Sequence, residues 1–190
     1  FINGSSSLNV NIINHKMNFK ETLQKIEESQ AYTKFKEQNP NAELCAGFFI
    51  LDFLESNDTK QSIDYKTEEN IFTFDINKHN EIFMKQDRLL DESTRPKLKK
   101  INPEIKVEVD ELKGIAGTNA LDNGISAKIH KIIAVLQNYN GSITNDEDKI
   151  VWNLTCMLDG LIILNIIIDA DTGKILKFNR KSMMDMIKKR

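Results

Sequence analysis

The sequence predicts an α+β fold of two related units, each a helical segment followed by an antiparallel β-meander, with the helices packed on the sheet. Three observations lead there. Apolar residues at helical spacing recur in two places, one after Asn18 and one after Asp110. Each is followed by runs of β-branched and aromatic residues separated by short polar turns. Between the two sets lies DRLLDESTRPKLKKINPEIK, residues 87–106, charged and interrupted by Pro96 and Pro103. This places a first unit at 17–100 and a second at 101–190. Residues 1–16 read as an arm or upstream segment, because Met17 opens a more regular pattern; an edge strand from Leu8 to Ile13 is the competing reading.

Phe19, Leu23 and Ile26 share one face of a helix that begins at Asn18. Tyr32 and Phe35 project at another angle, so this helix breaks near Ser29 or buries two faces. Asn39-Pro40-Asn41 ends it. ELCAGFFILDFLE is too apolar and aromatic for a loop and predicts a strand buried on both faces. After a turn near Asn57-Asp58, QSIDYKT alternates with Ile63 and Tyr65 on one side, and IFTFDIN sends Phe72, Phe74 and Ile76 inward. NKHNE then turns into the short strand IFMKQ.

In the second unit Asp110 is placed to cap a helix bearing Leu112, Ile115 and Ala116. Gly114 and Gly117 each weaken it by about 1 kcal/mol relative to Ala, which predicts a short or irregular helix. KIHKIIAVLQNY suits a helical face or a strand, and its β-branched content and place in the pattern favour the strand. VWNLTCML alternates Trp152, Leu154, Cys156 and Leu158 against Asn153 and Thr155. Asp159-Gly160 predicts a two-residue hairpin, with LIILNIIID as the returning strand. At the C-terminus RKSMMDMIKKR predicts an amphipathic helix with Met183, Met184, Met186 and Ile187 docked on the domain.

Composition narrows function. The 26 basic and 28 acidic residues nearly cancel, which argues against nucleic acid or an anionic membrane as partner. No window approaches the roughly 18 apolar residues of a membrane helix, and no secretory signal pattern is present, so a cytoplasmic location is expected. Cys45 and Cys156 sit in apolar runs and read as reduced core thiols.

The stretch IIIDADTGKIL, residues 166–176, admits three readings. Asp171-Thr172-Gly173 matches half of an aspartic-protease site, but no second such triplet exists to share its proton. Asp169, Asp171 and Gly173 match the start of a calcium loop, yet Lys174 and Arg180 occupy the positions that need Gly and Glu. A tight turn requires only Asp side chains that accept backbone N–H groups and a glycine free to adopt positive φ, and is the expected structure. NKHNEI is its counterpart in the first unit. His15, His79 and His130 show no ligand spacing, and Gly114 to Gly117 match GxxG without the basic flanks of a nucleic-acid clamp. No catalytic, cofactor-binding or metal-binding residue is assigned, and an enzyme is not expected.

The run VWNLTCMLDGLIILNIIIDADTGKIL resembles the C-terminal part of PepSY domains, where a strand with an aromatic is followed by a hairpin and a strand ending in an Asp-Ala-x-Thr-Gly-Lys-type turn. FKETLQKIEESQAYTKFKEQNPNAELCAGFFILD is similar to the opening of small uncharacterised archaeal proteins with a tandem, PepSY-like arrangement. The resemblance implies a helix packed on an antiparallel sheet. Because PepSY domains accompany peptidase propeptides and have been proposed to inhibit peptidases, it implies a non-enzymatic binding or regulatory module that holds a peptide or protein. It brings no catalytic residue with it.

LIILNIIID motivates a competing expectation. It is apolar on both faces, a helix can cover only one, and the opposite unit or a second chain must shield the other; a structural homodimer follows. The third expectation is an unrecognised hydrolase, with Asp169 and Asp171 as the pair to inspect.

Overall fold

The computed structural model describes residues 17–54, 58–88, 98–139 and 148–182. Asn18 starts helix α1 (Phe19–Glu27) by accepting the Glu21 N–H with its side chain. Ser29 does the same for Tyr32 and starts α2 (Gln30–Gln38), so the helical segment breaks there rather than burying two faces. Strands β1 (Glu43–Asp52), β2 (Lys60–Lys66), β3 (Asn70–Ile76) and β4 (Ile82–Arg88) follow. A 3-10 turn (Val109–Glu111) leads into α3 (Leu112–Asp122), and β5 (Ile129–Tyr139), β6 (Lys149–Leu158), β7 (Ile162–Asp169) and β8 (Ile175–Ser182) complete the order.

The eight described strands form one antiparallel sheet in the order β4-β3-β2-β1-β5-β6-β7-β8. The two meanders meet where β1 pairs with β5, with Phe48 opposite Val135 and Ile50 opposite Ile133. They lie side by side, so neither can shield a face of the other. This corrects the expectation that the opposite unit covers the second apolar face of LIILNIIID.

The three described helices share one buried cluster with a single face of the sheet. It contains Phe19, Ile26, Phe35, Leu112 and Ala116 from the helices, and Phe49, Ile63, Phe74, Ile132, Leu154 and Ile166 from the strands. The Phe19 ring rests over Gly47, where an added Cβ would come within 3.2 Å of it. Residues 98–108 stitch this layer together. Ile101 N–H donates to the Leu44 carbonyl, Lys106 and Val107 N–H groups to that of Ala170, and Trp152 Nε1 to that of Val107 at 2.9 Å. Glu108 Oε2 accepts the Phe19 N–H at 2.9 Å, tying the start of α1 to the second half of the chain.

Three local expectations change, and the strand reading of KIHKIIAVLQNY holds. Two-sided burial in β1 is confined to Leu44–Gly47, around an irregular register between Leu44 and Ala46; beyond it Phe49 and Leu51 point inward while Phe48 and Ile50 stay half-exposed. Asp110 lies within the 3-10 turn instead of capping α3, whose first turn has no side-chain cap bond. KIHKIIAVLQNY is a strand, because its partners on either side are β1 and β6. The β6–β7 hairpin has three loop residues, since Leu158 pairs with Ile162, and both Gly160 (φ 73°) and Leu161 (φ 58°) are left-handed. The arm at 1–16, residues 89–97 of the boundary segment and the amphipathic residues 183–190 lie outside the described residues.

Candidate functional site

Side chains alternate along each strand, so the face opposite the helices is fixed by the register. Its two halves differ. Apart from Ile71 and the exposed Phe83, on β2–β4 it presents polar groups, among them Ser62, Asp64, Thr73, Asp75, Lys60 and Lys85. These groups satisfy one another: the Thr73 hydroxyl donates to Asp64 at 2.7 Å, and Asp75 takes Lys85 at 2.7 Å and Lys60 at 3.2 Å. Burial pushes the Asp64 carboxyl above its usual range despite the Thr73 bond. For Asp75 burial acts in the same direction, but the hydrogen bonds and charges of Lys85 and Lys60 outweigh it and hold the carboxyl low.

On β1 and β5–β7 the same face is apolar. Phe48, Ile50, Ile133 and Val135 form a block across the central β1–β5 pair. Met157 and Ile163, with the buried Val151 and Ile167, extend it over β6 and β7 around Asn153, Thr155 and Asn165, and the Asn165 amide donates to the Thr155 hydroxyl at 3.2 Å. No described helix packs on this face. Phe48, Ile50, Ile133, Val135 and Ile163 are half-exposed, and Met157 is 38% exposed. Lys177 stands opposite Ile167 and Lys181 opposite Ile163 on edge strand β8, both exposed.

The acidic bend at 169–173 is a turn. Asp169 Oδ1 accepts the N–H groups of Asp171 and Thr172 at 3.0 Å each, and Gly173 takes φ 73° while donating to the Asp169 carbonyl. Burial alone would raise the Asp169 carboxyl; the backbone bonds from Thr172 and Asp171, with help from Lys149, overcome it and hold the group below its usual range. Asp171 points elsewhere, to Lys106 at 2.9 Å, and is 61% exposed. The two carboxylates therefore do separate jobs. The turn after β3 repeats the device: Asn77 Oδ1 accepts the N–H groups of His79 and Glu81 at 2.9 Å, with Asn80 at φ 59°.

The remaining reactive residues do not converge. His79 is exposed in the β3–β4 turn, and His130 Nε2 pairs with Asp159 at the far end of β5. Among the described residues no three His, Cys, Asp or Glu side chains gather to hold a metal ion. Cys45 and Cys156 are buried free thiols, each pushed up to about 12 by burial, where the nucleophilic thiolate is scarce at neutral pH. Gly114 and Gly117 sit on α3 with open space beside them.

With this geometry in view, the fold can be placed among known proteins. No protein-family model matches the chain, and no curated protein matches it. A solved structure does: a candidate lipoprotein from Clostridium difficile 630 superposes with a TM-score of 0.56 over 87% of this chain and 94% of that one, at 14% identity. At that identity the likeness establishes the fold alone. Among the described residues no helix is long and apolar enough to cross a membrane.

The apolar doubling of β7 and β1 is visible in the sequence; that of β5, and the exposure of Phe48 and Ile50, is not. The usable signal was the join itself: Ile133 and Val135 alternate with the buried Ile132, Ala134 and Leu136, which only a strand apolar on both faces requires.

Proposed function

We propose that this protein is a non-enzymatic binding module that holds a peptide or protein against the open face of its sheet. The observation behind this reading is the half-exposed apolar block of Phe48, Ile50, Ile133 and Val135, opposite the face that the helices cover. A half-buried sheet normally alternates apolar inward with polar outward, and β2 and β3 do so. The central pair does not.

Two related units are part of the same proposal. The order of helix then four strands occurs twice, and the Asn77 and Asp169 turns use one device. A PepSY-like kinship, with the peptidase-inhibitor-like role it suggests, agrees with helices packed on one face of an antiparallel sheet. Such a module acts in the cytoplasm on the sequence reading; cell fractionation followed by immunoblotting checks that, and recovery in the membrane fraction counts against it.

Selection of a displayed random-peptide library on the purified chain tests the binding role. Selected peptides should lose binding to Ile133→Asp and keep it for Lys34→Asp on α2. Peptides indifferent to Ile133, or no enrichment at all, would reject the reading.

A further inference from the structure

We infer that the occupant of the open face is an amphipathic helix of another protein, with an apolar side and an acidic flank. The inference rests on the binding role proposed above and names the partner's chemistry. Three features lead to it.

The first is the backbone. Every strand under the apolar block is interior to the sheet, so its N–H and C=O groups are engaged in the ladders with its neighbours. This face offers side chains only. An extended segment lying flat on it would leave its own backbone unpaired, whereas a helix satisfies its backbone internally.

The second is size. Four strands spaced about 4.8 Å apart and three accessible rows of side chains about 6.8 Å apart give a surface of roughly 15 by 14 Å, or about 200 Å². A stable interface between two copies needs about 800 Å² from each partner. A single helix about 10 Å across covers the smaller area with about nine residues, or two and a half turns.

The third is charge. Of the carboxylates on this face, Asp75 is compensated by Lys60 and Lys85, and Asp169 by backbone N–H groups with Lys149 nearby, while Asp64 and Asp87 lie on the β2–β4 half, away from β8. Lys131 is likewise occupied, by Asp58 at 2.8 Å and Asp52 at 3.7 Å. Lys177 and Lys181 are different. They border Ile167 and Ile163, are exposed, and have no ion-pair partner among the described residues. Along the β8 side of the block the charge left uncompensated among the described residues is positive. The chain's own ends do not complement it: residues 183–190, MMDMIKKR, hold one acid against three bases, and residues 1–16 contain no acid.

The test uses two synthetic helical peptides with the same leucine face, one flanked by Glu and one by Lys, titrated calorimetrically into the full chain. The Glu peptide should bind about tenfold tighter at low salt, with the gap closing as salt rises. Lys177→Glu/Lys181→Glu should reverse the preference, and Ile133→Asp should abolish binding of both; Ile133→Thr serves where the Asp variant has a lowered melting temperature. Equal affinity for the two peptides, unmoved by the double reversal, would overturn the acidic chemistry while leaving the binding face intact. Binding indifferent to Ile133 would overturn the face itself. A wild-type dimer that Ile133→Asp converts to monomer would assign the face to a second copy and overturn the inference.

Discussion

The two halves of the sheet share an element order but are stabilised differently. Under α1 and α2 the first half is aromatic: Phe35 contacts Tyr65, Phe72 and Phe74 with ring centroids 4.9 to 5.8 Å apart, and Tyr32 joins them. The second half is aliphatic, with Trp152 bridging to Phe19 and Phe49 at the seam. Their outer faces differ in the opposite sense. The first half is mainly polar there, with Asp75 paired to two lysines; the second is mainly apolar and flanked by lysines that have no ion-pair partner among the described residues. A fold of this kind needs one sealed face, and both halves supply it. The additional apolar surface lies mainly on the central pair and the second half, with Phe83 of β4 as an exposed outlier.

The largest effects should come from the shared core. Phe35→Ala and Trp152→Ala should each cost about 3–5 kcal/mol, measured by urea unfolding. Because the seam joins both halves in one sheet, unfolding followed by Trp152 fluorescence and by far-UV circular dichroism should trace one transition. Two separated transitions would make the halves independent.

The carboxylates sharpen the contrast, because their perturbations have opposite signs. Asp169 is held low, so its stabilisation is present above the unfolded aspartate pKa and lost as pH falls through the folded one. Asp169→Ala should cost about 1.5–3 kcal/mol at pH 7 and less in acid. Asp64 is raised, so its ionised form opposes folding: stability is full below the unfolded pKa and declines as pH rises through the folded one. Asp64→Asn, which keeps an acceptor for Thr73, should stabilise at pH 7 with a gain that vanishes in acid. Unfolding curves at both pH values check each sign.

The smallest effect concerns the hairpins. Leu161 holds φ 58° with its side chain 54% exposed, whereas the equivalent strain at Asn80 falls on a residue that tolerates it. Leu161→Gly should raise stability by about 1 kcal/mol, and Asn80→Gly should change it little, read from melting temperatures.

Much of this was legible in the sequence. Strong alternation in QSIDYKT, IFTFDIN and VWNLTCML places β2, β3 and β6 and their inward residues correctly, because period two is independent of tertiary context. The turn at Asp169 was also legible, since its chemistry is local. What escaped was set by distant partners. The Phe19 N–H is capped by Glu108, 89 residues away, and the pairing of β1 with β5 joins the meanders edge to edge; neither leaves a local pattern. The three-residue hairpin escaped because Asp159-Gly160 favours a tighter turn, while the register of β6 and β7 leaves Leu161 in the loop.

The most direct test is a methyl-resolved NMR titration of the full chain with the Glu-flanked peptide. Shifts confined to Ile50, Ile133, Val135, Ile163 and Ile167, with Ile63, Ile132 and Ile166 unmoved, are the expected result. No shifts, or shifts centred on the helix-covered residues, would contradict an interaction surface on the open face.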